Sequence, residues 1–474
     1  MFFRAQNLGP LRDAEVDLSK DLIVLAGPNN SGKTYLAWSV YGLHRSRPAA
    51  PPAALDRWVR QLLESSDHRI DIGECLARSG SVLLEGIAAE YKSKVHLCFA
   101  AASAQFTGAN VSLRLADALD GEWAPEAHLH GVALPDGRRA WSMIFISLSD
   151  STHVDWAITD GLDQLDSLLA NPTELAAATT SALASLTAGA RESLDRELHL
   201  QFYGLVLSNL LRRCTLFPAE RIAVNIFAKE LALKRTELVD AMVDADLEGE
   251  AGASVELIRR RAGRYPWPIR DSLKTANDLA NLSREKGRFA HLADEIESAV
   301  LGGAVSVSET GEMLFSPRGA ADSRLQMHLT ASVVKSLSSL VFYFRYLARP
   351  RDFIIIDEPE LNLHPDNQRK ITRILAKAVR LGFKVMMSTH SDYVLRELNH
   401  MIMLSKLPEG EAQELGYDPE CALAPAQVGV YLFDEQHAEP VAVEETGFSI
   451  KTIDAVVNQL NADEQRLYAR IYGE

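Results

Sequence analysis

Cysteine is scarce. The 474 residues hold four (Cys75, Cys98, Cys214, Cys421), far apart and with no Cys-x-x-Cys pair. That spacing argues against a disulfide framework, a zinc ribbon and a cysteine metal hook. Long apolar runs are also missing: none reaches the roughly 18 residues a membrane span requires. The longest candidate, Val333 to Leu347, is broken by Lys335, Ser336, Ser338, Ser339 and Arg345. The first residues carry Arg4, Gln6 and Asn7 where a signal peptide needs unbroken apolar sequence, so a cytoplasmic protein with no membrane partner is expected. Basic charge is in deficit, 49 Lys and Arg against 64 Asp and Glu, a net −15. This excludes a protein coated in basic surface for nucleic acid but not a local patch. What remains, 47% apolar and 24% charged, is the composition of a globular chain able to bury a large core.

The chain opens as strand, turn, strand: Phe2 to Asn7, a turn at Leu8-Gly9-Pro10, then Ala14 to Leu18. The run Leu22-Ile23-Val24-Leu25-Ala26 is too short for a helix and ends in Gly27-Pro28, which predicts a buried strand feeding a tight loop and a helix over 33–43. Residues 55–90 read as helical. Residues 94–150 read as strand-rich, with runs at Val95 to Phe99, Val111 to Leu115 and Trp141 to Leu148. Residues 160–213 and 226–300 read as helices, the second stretch broken at Tyr265-Pro266-Trp267-Pro268, with a short strand at 215–217 between them. A hairpin is expected over 304–315. From 330 onward helix, strand (353–356), helix (366–380), strand (384–388) and helix (393–399) alternate, which signals parallel α/β architecture. A strand pair (428–433 and 440–443) and a terminal helix (449–472) close the chain.

Three segments carry chemistry. Gly27-Pro28-Asn29-Asn30-Ser31-Gly32-Lys33-Thr34 matches G-x-x-x-x-G-K-[ST] at every fixed position, between a predicted strand and helix. Its glycines let backbone amides turn inward around phosphates, and the helix N-terminus adds favourable potential. Lys33 is expected to neutralise β- and γ-phosphate charge and the Thr34 hydroxyl to ligate Mg2+. Four apolar residues, Phe353 to Ile356, then deliver Asp357 and Glu358 at the C-terminal end of a strand, where α/β sheets place ligands. Asp357 is the expected magnesium partner of Thr34, and Glu358 the group that orients or deprotonates the attacking water. A solvated acidic turn is the alternative. The next strand ends in Ser388-Thr389-His390-Ser391-Asp392. A lone histidine is more often structural, but its position predicts contact with the γ-phosphate or the water.

The order of P-loop, long insertion, Asp-Glu strand and Ser-Thr-His loop resembles an ABC-type ATPase head, and most the group containing RecF, SMC and OLD (overcoming lysogenization defect) proteins. The resemblance is close in 25–34, in Asp357-Glu358-Pro359-Glu360-Leu361-Asn362-Leu363-His364-Pro365 and in 388–392, and only outline over 45–300. It implies an α/β P-loop NTPase fold, an ABC ATPase head with an antiparallel β subdomain and a long helical insertion. The divisions expected are lobe I over 1–150, a mostly helical insertion over 151–300, lobe II over 301–440 and a helical tail over 441–474. It also implies ATP and Mg2+ as ligands, and a signature segment reaching the partner's γ-phosphate across a head-to-head dimer. The candidate is Ser332 in His328-Leu329-Thr330-Ala331-Ser332-Val333-Val334-Lys335, where Val333 replaces a usual small residue and an ordinary helix N-cap is the alternative. Pro218-Ala219-Glu220-Arg221 resembles a segment near the loop that senses nucleotide state, though a structural salt bridge explains it nearly as well.

Two basic groups bear on nucleic acid. Arg259, Arg260, Arg261, Arg264, Arg270 and Lys274 cluster around Tyr265 and Trp267, able to contact phosphates and stack bases. Partner-protein contact or internal ion pairs are the alternative. Arg369, Arg373, Lys377 and Arg380 follow helical spacing, more often a solvated face. OLD nucleases append a TOPRIM domain; only 84 residues follow His390, too few for one. The expectation is an ATP-hydrolysing head that forms a homo-oligomer and controls a separate effector such as a nuclease. That layout resembles the ATPase components of anti-phage systems such as Septu and PARIS. The alternatives are a RecF-like DNA-repair ATPase and a nucleotide-dependent scaffold with little turnover.

Overall fold

The computed structural model describes residues 1–115, 123, 127–134, 137–147, 150–159, 171–228, 265–320, 323–408 and 410–472. Its strands are β1 (Phe2–Leu8), β2 (Leu11–Asp17), β3 (Leu22–Ala26), β4 (Arg69–Asp71), β5 (Asn110–Arg114), β6 (Ala127–Ala133), β7 (Arg139–Ile146), β8 (His153–Thr159), β9 (Cys214–Phe217), β10 (Gly303–Val307), β11 (Met313–Pro317), β12 (Leu325–Gln326), β13 (Phe353–Asp357), β14 (Lys384–Thr389), β15 (Val428–Asp434) and β16 (His437–Val441). A nine-stranded sheet runs in the order β5-β1-β2-β16-β15-β3-β14-β13-β9.

The chain divides into two compact units. One comprises Met1–Phe2, Ser46–Lys92 and Ser112–Arg212. It contains the antiparallel sheet β4-β8-β7-β6 and the helices Asp56–Glu64, Pro172–Ser185 and Ala188–Leu210. A small core of Met143, Phe145, Ala157 and Leu175 joins sheet to helix. Trp156 donates to the Ser142 hydroxyl at 2.9 Å, and Arg69 pairs with Asp155. The other unit comprises Phe3–Arg45, Ser93–Val111 and Arg213–Glu474. At its centre five strands, β15-β3-β14-β13-β9, run parallel. β3, β13 and β14 are buried along their whole length, as continuous apolar runs with both faces covered should be. Helices Ala290–Ile296, Ser332–Phe342, Pro365–Arg380 and Asp392–Leu404 contribute to the main core with these strands. Parallel strands alternating with helices, around a glycine loop that opens the helix Lys33–Arg45, make this an α/β P-loop NTPase fold of the ABC ATPase head type.

Register sets the site. Thr389 lies opposite Ala26, and Asp357 opposite Ser388. β14 is inserted between β3 and β13, so the ends carrying the P-loop, the histidine and the acidic pair lie side by side.

Three expectations need correction. Val95 to Phe99 is not a strand but the end of the helix Ile72–Cys98. Tyr91, Val95 and Cys98 are buried while Leu97 is 42% exposed, a helical spacing that a short apolar run conceals. The predicted helical stretch 55–90 is interrupted by β4, whose register partner β8 lies more than eighty residues away. The strand β8 itself was not anticipated. The hairpin β10–β11 forms as expected, antiparallel with Val305 opposite Phe315. Of the helical stretch expected over 226–300, residues 229–264 lie outside the described residues; beyond them it is segmented, beginning with Trp267–Asn277.

Candidate active site

The P-loop is shaped by backbone that few side chains tolerate. Gly27 has φ +142°, and a Cβ there would sit 3.1 Å from the carbonyl carbon of Phe433 in β15 and closer still to its oxygen. Gly32 has φ +101° and Asn30 φ +61°, the left-handed region that favours glycine and tolerates asparagine. Pro28, Asn29 and Asn30 are exposed, and the Ser31 hydroxyl donates to the Pro28 carbonyl at 2.8 Å. Lys33 is buried, its ammonium donating to the carbonyls of Gly27 at 2.8 Å and Pro28 at 2.6 Å. Burial pulls its pKa below the ordinary value, against the raising pull of Glu358, Asp357 and Glu360. A desolvated ammonium at the foot of a glycine cradle fits an anionic polyphosphate.

Asp357, 1% exposed, ends β13. One carboxylate oxygen accepts from the Ser388 hydroxyl and lies 3.4 Å from the Thr34 hydroxyl; the other accepts from the Trp38 indole at 3.2 Å. Burial pushes its pKa up to about 6, with Glu220 and Glu358 adding to the rise and the bonds from Ser388 and Trp38 opposing it. Such a carboxylate is stabilised in its charged form by a nearby cation. The hydroxyl–carboxylate pair supplies the few hard oxygen donors that Mg2+ takes from protein when phosphates and water provide the rest. Among the described residues no group of three or more His, Cys, Asp or Glu could hold a metal ion.

Glu358 follows in an unusual backbone conformation, φ +49°, uncommon for a residue with a side chain. Its N–H donates to the Ser388 carbonyl at 3.1 Å and hydroxyl at 3.2 Å. The half-exposed His390 ring places Nδ1 3.7 Å from a carboxylate oxygen of Glu358 and equally far from one of Glu360. Lys33, Thr34, Asp357, Glu358 and His390 therefore converge. Ser332 stands apart as the first residue of the helix Ser332–Phe342. It is exposed, and among the described residues no hydrogen bond joins it to 27–34. The N-cap is Ala331 rather than Ser332, with no side-chain capping bond, so capping does not account for the serine.

Sequence reasoning missed three contributors. Glu360 is 5% exposed; one oxygen accepts from the Thr389 hydroxyl at 2.6 Å and the His390 N–H at 3.0 Å, while the other has no hydrogen-bond partner among the described residues. Ser388 braces Asp357 and Glu358 together. Arg221, in the segment that resembles one near the nucleotide-sensing loop and for which a structural salt bridge is the alternative, donates to four backbone carbonyls: Ser336 (3.0 Å), Pro218 (3.1 Å), Asp357 (2.7 Å) and Glu358 (2.7 Å). The Asp-Glu-Pro-Glu run did signal Glu360; the carbonyl contacts of Arg221 leave no trace in sequence.

The basic groups resolve differently. Arg369 and Arg373 both pair with the buried Glu397, and Lys377 with Glu295 and Asp418. That stripe is largely internal ion pairing. Arg259, Arg260, Arg261 and Arg264 lie outside the described residues. Of their neighbours, Trp267 is 4% exposed with Arg45 stacked 4.4 Å over its ring, so it offers no face to a base. No described helix is long and apolar enough to cross a membrane.

Residues 195–395 match the AAA ATPase domain family AAA_15. No curated protein matches the chain. Among solved structures, the SMC head domain from Thermotoga maritima aligns at 12% identity over 94% of this chain and 98% of that one, with a TM-score of 0.28. An Smc head with an extended coiled coil, bound to the C-terminal domain of ScpA derived from Pyrococcus furiosus, aligns at 9% identity over 97% and 98%, with a TM-score of 0.29. An SmcHead bound to the C-winged helix domain of ScpA aligns at 8% identity over 93% and 96%, with a TM-score of 0.30.

Proposed function

We propose that the chain binds and hydrolyses ATP. The observation that carries this reading is the convergence of Lys33, Thr34, Asp357 and Glu358 beyond the C-terminal ends of the interior strands β3 and β13. In it the loop 27–32 holds the phosphates through backbone amides, and Lys33 exchanges its bonds to the Gly27 and Pro28 carbonyls for phosphate oxygens. Thr34 and Asp357 would hold Mg2+, which when bound neutralises charge developing on the phosphates. Glu358 accepts the proton of the attacking water, its backbone fixed on both sides. His390, beside both Glu358 and Glu360, orients that water. The products are ADP and phosphate. Lys33→Ala should abolish nucleotide binding and ATP-dependent phosphate release; wild-type turnover in that variant would overturn the assignment.

The exposed Ser332 supports a head-to-head homo-oligomer, in which it meets the γ-phosphate held by a second copy. Control of a separate effector, as in two-gene anti-phage systems, rests on the motif resemblance alone. Its test is a phage-plating assay with the neighbouring reading frame, comparing wild type with Lys33→Ala. Local nucleic-acid binding over 259–274 gains no support from Trp267 or from the 369–380 stripe.

A further inference from the structure

We propose that the cavity beside the free edge of β9 binds an uncharged planar ring carrying an N–H donor next to a carbonyl acceptor, as a lactam does. Neither the P-loop nor the acidic pair lines this cavity, so its ligand is distinct from the nucleotide.

β9 ends the nine-stranded sheet, with β13 on one side and no strand among the described residues on the other. Along an extended strand the N–H and C=O of one residue point to the same side, and those of the next residue to the opposite side. Phe353 stands opposite Cys214 and donates its N–H to the Arg213 carbonyl at 2.8 Å. Arg213, Thr215 and Phe217 therefore face β13, while Cys214 and Leu216 present their backbone groups to the open edge. Among the described residues neither has a hydrogen-bond partner there. Leu216 is only 4% exposed, so its backbone groups are buried without a protein partner. Such groups are rare, and they call for water or a ligand to match them.

The space they face is a cavity of about 300 Å³, within the range of small-molecule sites. The helices Trp267–Asn277 and Ser332–Phe342 contribute walls, and Val224, Leu279, Met313 and Phe342 make the lining largely apolar. Its charged groups are already matched. Arg213 pairs with Asp352, Asp271 accepts from Tyr41 and from Arg45 at 2.6 Å each, and Arg221 is held by its four carbonyls. A charged ligand would find no counter-ion here, and burying it would be costly. One side-chain group is left over: the Ser339 Oγ is buried with no hydrogen-bond partner among the described residues.

These groups define the polar edge of the ligand. The Cys214 carbonyl accepts from a ring N–H, and the Leu216 N–H donates to the carbonyl beside it, as positions i and i+2 of a strand hold one residue of a parallel neighbour. The ligand carbonyl keeps a second lone pair for the Ser339 hydroxyl. The helix Trp267–Asn277 packs against β9, which leaves room for one ring system and not for a further strand.

The experiment titrates the full chain, isotope-labelled at Leu, Val and Met methyl groups, with oxindole and with N-methyloxindole. Oxindole should bind with a dissociation constant of about 1 mM or tighter, as a fragment of its size can. Its shifts should centre on the methyl groups of Val224, Leu279 and Met313. N-methyloxindole keeps the ring and the carbonyl but has no donor. It should bind about tenfold more weakly, because the Cys214 carbonyl is left unmatched. Ala276→Trp, which fills the cavity from the helix Trp267–Asn277, should abolish oxindole binding. Equal affinity for the two probes, shifts centred elsewhere, full oxindole affinity in Ala276→Trp, or no binding of oxindole would each overturn the proposal. If Ala276→Trp does not fold, the two probes on the unaltered chain decide.

Discussion

Replacing Gly27 by alanine probes the P-loop where the structure leaves least room. The added Cβ would sit 3.1 Å from the Phe433 carbonyl carbon and nearer its oxygen, in a backbone with φ +142°. Neither neighbour is a flexible side-chain end: Phe433 lies in β15, which pairs with β3 directly beneath the loop. Holding a non-glycine residue in so sparsely populated a conformation costs about 1–3 kcal/mol. If the loop escapes that cost by leaving its phosphate-binding shape, nucleotide affinity falls by roughly 5- to 150-fold, at about 1.4 kcal/mol per tenfold. Titration with a fluorescent ATP analogue reads this directly. Gly86 is the matched control, for it lies in the helix Ile72–Cys98 and a methyl group added there would meet nothing within 4 Å. Gly86→Ala should leave affinity untouched and stabilise the fold by about 0.5–1 kcal/mol. Equal nucleotide affinity in Gly27→Ala and wild type would refute the argument that the loop's close approach to β15 shapes the phosphate cradle.

Further outcomes follow from the same geometry. Burial works to raise the pKa of Glu397, but hydrogen bonds and charge from Arg369 and Arg373 outweigh it and hold the carboxylate below its ordinary value. A depressed folded pKa contributes stability that is present above the unfolded value, about 4.3, and lost as pH falls through the folded one. Urea unfolding should therefore show wild type losing stability below about pH 4.3. Glu397→Gln should lose about 1–2 kcal/mol at pH 7, less than a fully buried pair because Arg369 stays 40% exposed, and should show a shallower acid decline. Identical pH profiles would contradict this. Ser332→Ala should leave nucleotide affinity of the isolated chain unchanged but lower turnover in concentrated protein, measured as phosphate release across a dilution series.

Much of the site was legible because its signals are local. The run 22–26, the glycine loop and the 353–358 segment each announce strand and turn within ten residues, and their order implies adjacent strand ends. Contacts with distant partners were not legible. Whether Arg369 and Arg373 face solvent depends on Glu397, in a different helix, and Lys377 depends on Glu295 and Asp418. Trp267 looked available for stacking because its burial comes from residues far away in sequence, Arg45 among them. The contacts of Arg221 were hidden because backbone carbonyls carry no sequence identity. The tail of the helix Ile72–Cys98 was mistaken for a strand because four or five apolar residues cannot reveal a period of 3.6.

The central claim, that Glu358 acts on water at a site whose nucleotide binding depends on other residues, is tested most directly by Glu358→Gln. The substitution keeps size and backbone contacts but removes the base. ATP-analogue affinity should stay within threefold of wild type while phosphate release falls by about 10²- to 10⁴-fold, the usual contribution of a positioned general base. Phosphate release by Glu358→Gln at the wild-type rate would contradict the account.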